Sequence, residues 1–459
     1  MAFFGFFNVY ALRVNLSVAV VAMTAATNAT LANGTTVQVP PEFDWDSRTQ
    51  GLILSSFFYG YIMTQILGGW LAARVGGCRV FGVGLAATAV LTVLTPPVAR
   101  AGTGWLIAVR VIEGLFEGVT YPCIHAVWAR WAPPAERSRL ATIGFSGSYA
   151  GTVISLPLSG VLAARLGWPS VFYVFGLAAL VWYALWVILV KEGPEEDPRI
   201  SPGELRFIRE ALATVPDPKT TRQPWCSFLT SAPVWAIVAA HFSENWGFYT
   251  LLTQLPTFMR DVLHAQIQQS GVLSALPYVC MAVILQAAGH LADWLRAGRM
   301  STTSVRKLFN CAAFISQTVF MMVAAYMTAP WAIVLCITVA VGLGGFAWSA
   351  FSVNQLDIAP QYASVLMGIS NTVATLPGMI SPLITGYIVQ DKTPSQWRTV
   401  FMISSAIYLI GALIYGTFAS GERQPWAKEQ FSDLVDKARK QRLERSGHSN
   451  EALEMSHES

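Results

Sequence analysis

The chain has 459 residues, 54% of them hydrophobic and only 12% charged, with a mean hydropathy of +0.47. A soluble protein carries roughly 25% charged residues, so composition excludes a soluble globular domain, and a net charge of +4 spread along the chain gives no footing for nucleic acid. The six cysteines lie in apolar runs or short basic loops without a CxxC pair, which excludes a disulfide framework and a zinc site.

In chain order, apolar segments of about the 20 residues that a membrane helix needs fall at 2–26, 48–72, 79–98, 103–128, 139–164 and 168–190. A polar stretch separates them from six more, at 232–258, 270–294, 306–327, 330–353, 362–390 and 398–419. The expected fold is an all-α membrane protein of twelve transmembrane helices. A first bundle takes 1–190, a cytoplasmic middle loop 191–231, a second bundle 232–420 and a cytoplasmic tail 421–459. Basic residues collect in alternate short loops: Arg74 and Arg79; Arg130, Arg137 and Arg139; Arg296, Arg299, Arg306 and Lys307. Those loops, the middle loop and both termini are therefore cytoplasmic. The loop at 27–47 is then lumenal or external, and it carries glycosylation sequons at Asn28 and Asn33. In the middle loop, Ser201-Pro-Gly-Glu204 has capping-box spacing and predicts a short amphipathic helix that joins the halves. The tail reads as a charge-rich helix or disorder.

An internal repeat supports two related halves. Gly69-x-Leu71-Ala72-Ala73 and Gly289-x-Leu291-Ala292-Asp293 lie 220 residues apart, each at the end of an even-numbered segment and each followed by glycine and basic residues. The first copy has Ala73 where the second has an acid, which removes one inter-helix charge contact.

An ionisable side chain at mid-membrane costs at least about 2.5–3.5 kcal/mol, so each one needs a reason. Arg13 stands in the middle of the first segment with Tyr10 a turn before it; a guanidinium there can fork onto a carboxylate or phosphate. In segment four, Arg110, Glu113 and Glu117 are spaced i, i+3, i+7 and share one helix face. One arginine beside two acids leaves an excess carboxylate, able to take and release a proton. Gly114 and Gly118 make a small-xxx-small pair for close helix approach. His125 lies two turns on, near the cytoplasmic end, and reads as a structural or gating residue, as do Arg74 and Asp293. Segment seven presents Glu244, Asn245 and Tyr249, and segment two Tyr59, as further cavity-lining candidates for the substrate. Asp357 reads as structural. Walker, HExxH, GxSxG and dinucleotide motifs are lacking, so neither an enzyme nor ATP-driven transport is expected.

The stretches FFGFFNVYALRVNLSVA, FDWDSRTQGLILSSFFYGYIMTQILGG, EGVTYPCIHAVWARWAPPAERSRL, SGSYAGTVISLPLSG, HFSENWGFYTLLTQLPTFM, LDIAPQYASVLMGISNT and FASGERQPWA resemble the anion:cation symporter branch of the major facilitator superfamily over nearly the whole chain. The resemblance implies a carrier without cofactor whose partners are a small organic anion, a proton and the lipid bilayer. It also implies that Arg13 binds substrate carboxylate and that Arg110, Glu113 and Glu117 belong to proton coupling, while Arg74, His125 and Tyr249 fall on positions of the sialic-acid-carrying members. The glutamate-carrying members have His where this chain has Leu54 and a second Arg where it has Glu244, which speaks against a glutamate carrier. The expected function is proton-coupled export of sialic acid and related acidic sugars or acidic small molecules from an acidic lumen by alternating access. Sodium-driven phosphate or organic-anion cotransport, and vesicular transport of aspartate or glutamate, stand as alternatives. Members of the branch have a polar leader, in some with a lysosomal sorting signal, whereas here Met1 adjoins the first segment. The resemblance implies a lysosomal or vesicular membrane, and the short N-terminus keeps the plasma membrane as the alternative.

Overall fold

The computed structural model describes residues 1–30, 36–213, 224–298, 300–359 and 362–427. The tail from 428 on and Asn33 lie outside them. The first half consists of α1 (Ala2–Met23), α2 (Ser47–Val75), α3 (Gly77–Ala101), the pair α4 (Thr103–Glu117) and α5 (Thr120–Trp131), α6 (Pro134–Leu166) and α7 (Pro169–Leu189). After the short helices α8 (Pro202–Ala213) and α9 (Trp225–Thr230) come α10 (Ala232–Asp261), α11 (Ile267–Arg296), α12 (Thr302–Tyr326), α13 (Pro330–Ile358), α14 (Ala363–Ile388) and α15 (Pro394–Phe418). With α4 and α5 counted as one crossing, each half has six crossings. Among the described residues, eight helices are long and apolar enough by themselves to cross a membrane. The four crossings short of that standard, α2, α4–α5, α10 and α14, each carry polar groups at the candidate site or between the halves, as does α1 with Arg13.

Local chemistry sets the helix ends. Asp46 opens α2 by accepting a hydrogen bond from the Thr49 amide at 2.8 Å. Gly76 closes it at φ +111°, a backbone state that a side chain disfavours. α8 starts where its capping box predicts, with the Glu204 amide donating to Ser201 Oγ at 3.2 Å. The fourth crossing breaks just after Glu117: Pro122 has no N–H to offer the Gly118 carbonyl four residues back, so the ladder lapses at Gly118–Val119.

The loop with the sequons adds a short β-hairpin to the all-α fold. Strands β1 (Thr27–Thr30) and β2 (Thr36–Val39) pair antiparallel, from Thr27 opposite Val39 to Thr30 opposite Thr36, and Asn28 lies in β1. The loop is pinned to the first bundle through Glu42, which accepts from Arg100 Nε and from Trp168 Nε1, each at 2.7 Å.

The halves meet on the sequon-loop face at three seams. Gly51 and Gly386 bring α2 against α14, Gly160 and Gly271 bring α6 against α11, and Arg260 Nη1 of α10 donates to Thr24 Oγ1 beyond α1 at 2.9 Å. Nearer the opposite face, Gln65 of α2 donates to Thr375 Oγ1 and accepts from Asn371 Nδ2 of α14, both at 2.9 Å. Within the first bundle, Gly114 and Gly118 do what their spacing predicts: a Cβ on Gly114 would strike the Phe57 carbonyl oxygen of α2, and one on Gly118 that of Tyr61.

On the basic-loop face each bundle is held by an acid. Arg306 of α12 forks onto Asp357 at the end of α13 at 2.7 and 3.5 Å, with Arg296 of α11 3.6 Å away. Asp293 is 81% exposed and among the described residues pairs with its neighbour Arg296, at 3.9 Å, while Asp357 makes the inter-helix contact. In the first bundle Glu192, beyond α7, accepts from the Cys78 and Arg79 amides at 3.2 and 2.7 Å and so caps α3. The contact that Ala73 lacks is thereby replaced from another part of the chain.

Two outcomes follow from this packing. Gly114→Val should separate α2 from α4 and remove the monodisperse peak on size-exclusion in detergent, whereas Gly104→Val, where a Cβ meets nothing within 4 Å, should leave it intact. The Arg100 hydrogen bond, with Trp168 adding to it, holds the Glu42 carboxyl below its usual range against a smaller opposing desolvation. A lowered folded pKa contributes stability above the unfolded value and loses it as pH falls through the folded value. The small drop in melting temperature for Glu42→Gln should therefore be equal at pH 7.5 and at a lumen-like pH of about 5–6, and should vanish only in stronger acid. A drop already gone at the lumen-like pH would contradict the assignment.

Candidate functional site

Arg13 lies 6% exposed in α1, and its guanidinium is surrounded by rings: Tyr10 at 4.7 Å, Tyr61 at 4.8 Å and Phe57 at 5.2 Å from their centroids. Nε donates to Glu117 Oε1 at 2.8 Å, and Nη2 makes a short contact with the same oxygen. Arg13 Nη1 and Glu117 Oε2 are buried without partners. The pair is thus half used: one oxygen takes two donors, while one donor group and one oxygen stand idle.

A second pair lies one to two turns away on α4. Arg110 Nη1 donates to Glu113 Oε2 at 2.5 Å, and Thr92 Oγ1 of α3 donates to Glu113 Oε1 at 3.1 Å, so both oxygens of Glu113 are engaged. Both acids are fully buried. The expectation of an excess carboxylate on α4 is corrected here: Arg13 comes across from α1, and two arginines answer two glutamates. A helix-face argument sees only groups on one helix, and the missing cation is 104 residues away in the chain.

The other candidates divide. Tyr10 borders Arg13 and has the Tyr121 hydroxyl 3.4 Å from its own. Tyr59 does not reach Arg13; its hydroxyl sits 3.4 Å from Ser55 Oγ on its own helix, and the aromatic role falls to Phe57 and Tyr61. Those two share a face at i, i+4, a spacing that could have singled them out. Tyr249 packs its ring 4.7 Å from Phe58 of α2, across the halves. Asn245 Nδ2 donates to the Ala374 carbonyl of α14 at 2.8 Å. Glu244 is turned into its own bundle, where its Oε1 lies 3.4 Å from Gln317 Nε2 of α12 and against Gly344 of α13. His125 is exposed with its ring 5.6 Å from Phe145, and Arg74 ends α2, exposed. Thr92, Gln65, Asn371 and Gln317 carried no signal, being ordinary polar residues within apolar runs.

The Major Facilitator Superfamily model matches residues 2–382. The chain is 46% identical to human sialin over 444 residues, which cover 93% of this chain and 89% of that protein. It is 45% identical to bovine vesicular glutamate transporter 1 over 439 residues, or 94% and 78% of the two. It belongs to the anion:cation symporter family. The D-xylose-proton symporter matches the fold with a TM-score of 0.69 over 92% of this chain and 98% of that one, at 14% identity. A bacterial homolog of the human lysosomal transporter Spinster matches with 0.67 over the same shares, also at 14%. These two bear on the fold alone. The chain is a multi-pass membrane transporter of organic anions and not an enzyme.

Removing one partner of a buried ion pair costs about 3–5 kcal/mol, because the other charge is left alone. Arg13→Gln should therefore lower the melting temperature in detergent more than the double variant Arg13→Gln/Glu117→Gln does. A double variant as unstable as the sum of both singles would show that the two charges do not depend on each other.

Proposed function

We propose that the chain is a proton-coupled symporter of monocarboxylates such as sialic acid and related acidic sugars, exporting them from an acidic lumen to the cytosol. The observation that carries this is the half-used Arg13–Glu117 pair. Ionised Glu117 occupies the guanidinium that a substrate carboxylate needs. A lumenal proton on Glu117 cancels that attraction, and Arg13 is released to fork onto the anion through Nη1 and Nη2. The rings of Tyr10, Phe57 and Tyr61 keep water from the guanidinium, which strengthens its hold on a charge. The anion on Arg13 and the proton on Glu117 then cross together. On the cytosolic side Glu117 loses its proton, reclaims Arg13 and expels the substrate. Arg110 and Glu113, with every carboxylate oxygen engaged and Thr92 attached, form the fixed pair against which this exchange works.

Sialin and the vesicular glutamate transporters are about equally similar to the chain, so similarity does not choose the substrate. The glutamate carriers of the family are implied to have His and Arg where Leu54 and Glu244 stand. Without a second cation, a dicarboxylate has only Arg13 to answer two charges. A lysosomal or vesicular membrane is the compartment that supplies the proton gradient.

In proteoliposomes with an inward proton gradient, wild type should accumulate sialic acid, and a sodium gradient alone should not drive uptake. Glu117→Gln should retain exchange of labelled for unlabelled substrate but lose accumulation, since an amide carries no proton and does not hold Arg13 as strongly. Arg13→Lys should lose both to a large extent, because an ammonium lacks the planar fork. Accumulation by Glu117→Gln with normal pH dependence would exclude Glu117 as the proton carrier, and sodium-driven uptake would replace the proton by sodium.

A further inference from the structure

The first bundle answers each buried acid with an arginine. The second bundle does not. Glu244 is 2% exposed in the middle of α10, its Oε1 faces the Gln317 amide at 3.4 Å, its Oε2 has no partner within hydrogen-bond distance, and the Trp348 indole of α13 lies near the carboxyl. Gln317 is equally buried, and its own Oε1 is unpartnered. The two side chains meet over Gly344 of α13, where a Cβ would lie 2.5 Å from Gln317 Nε2 and 2.6 Å from Glu244 Oε1. Three helices thus converge on a buried carboxyl with an amide beside it and a glycine that leaves room for both.

The groups around it are neutral. On α10 itself, His241 is taken by Ser370 of α14, its Nδ1 3.1 Å from the Ser370 hydroxyl, and lies against the rings of Trp348 and Phe351. From α15 comes the Tyr408 hydroxyl, lying on Gly247. From the first half comes Tyr149 of α6, within electrostatic reach of the carboxyl. Among the described residues no lysine or arginine pairs with Glu244. A lone carboxylate buried in this way is far more costly than a neutral carboxylic acid. One carboxyl and one amide oxygen are too few ligands for a hard metal cation, which takes about six oxygens. A proton needs a single oxygen and no added space.

We propose that Glu244 and Gln317 form a second proton-binding site, in the C-terminal half and separate from the Arg13–Glu117 pair, which is occupied while the halves are sealed on the sequon-loop face. In the acid form the Glu244 hydroxyl can donate to the idle Gln317 oxygen after a turn of the amide, which satisfies both orphaned oxygens at once. The proton comes from lumenal water onto a Glu244 carboxylate oxygen and leaves to cytosolic water when rocking of the halves wets α10. Since this proton accompanies one carried by Glu117, a monocarboxylate would cross with two protons and one net positive charge. The stoichiometry rests on the reading above; the occupancy of Glu244 does not.

The test therefore has two parts, both on the full chain. Infrared difference spectra on pH change need no transport. Wild type should show a protonated-carboxyl band that titrates with bulk pH and is absent from Glu244→Gln, and the band should shift in frequency in Gln317→Leu. In proteoliposomes, co-loaded pH dye and labelled sialic acid should count two protons per anion for wild type and one for Glu244→Gln, and a valinomycin-set potential, negative on the receiving side, should accelerate only the wild type. Because Glu244→Gln keeps the volume and the Gln317 contact, its melting temperature should match that of wild type. Gly344→Ala, which intrudes on both side chains, should give the same change in proton count. The proposal is overturned if wild type has no band assignable to Glu244, or if the band stays unchanged at every pH. An equal proton count in wild type and Glu244→Gln would also overturn it. Loss of coupling in Glu117→Gln with the Glu244 band intact would separate the two sites, while a failed Glu117 reading would leave the band untouched.

Discussion

A charge in hydrocarbon must be met at contact distance by an opposite charge or give up its ionisation, and the first half of this protein is built around that demand. Arg13, Arg110, Glu113 and Glu117 are all buried and joined in two pairs across α1 and α4. The glycines on α4 admit α2 so closely that Phe57 and Tyr61 are pressed onto the Arg13 guanidinium. Thr92 on α3 adds a hydrogen bond to the Arg110–Glu113 pair. Buried ion pairs add little net stability compared with apolar packing of the same volume. Their presence here is better understood through what they do, and the two differ in the respect that matters: the carboxylate of Glu113 is saturated, that of Glu117 is not.

The two halves resemble each other in frame and differ in electrostatics. Each has six crossings and an acid at its basic-loop face, Glu192 in one and Asp357 in the other, although those acids come from non-equivalent places. At mid-depth the first half is fully ion-paired, whereas the second uses amides, hydroxyls and a solitary carboxyl. Cross-half contacts are correspondingly uncharged at that level: Gln65 with Thr375 and Asn371, and Tyr249 on Phe58. Hydrogen bonds between neutral groups cost less to break than buried ion pairs.

Much of this was legible in the sequence because the bilayer imposes a simple code. Apolar runs give the crossings, basic loops their direction, and a charge within a run marks a site. The code does not say which charge meets which. The spacing of Arg110, Glu113 and Glu117 is a property of one helix and was readable. The join of Glu117 to Arg13 belongs to the packing of two helices, and the excess acid expected on α4 disappeared with it. Tyr59 was chosen over Tyr61 for the same reason, since the face of α2 turned to Arg13 is set by Gly114 and Gly118 on another segment. Glu192, Gln317 and Thr92 gave no signal at all: a loop acid, an amide and a hydroxyl are common, and only their partners make them matter. The β-hairpin in the sequon loop was hidden because its strands are four residues each.

The separation of Arg13 from Glu117 also constrains how the chain can be made. Ribosomes add about 5–20 residues per second, so the 104 residues between the two take about 5–20 s to appear. For that interval α1 has emerged with a guanidinium whose acid does not yet exist. α4 brings three ionisable groups of its own, and each would cost about 2.5–3.5 kcal/mol at the centre of an isolated helix. α1 is apolar enough to cross by itself but carries a lone guanidinium, α4 is not, and together they satisfy one another. The guanidinium of α1 is therefore satisfied only once α4 has joined it, which ties the final packing of α1 to the arrival of α4.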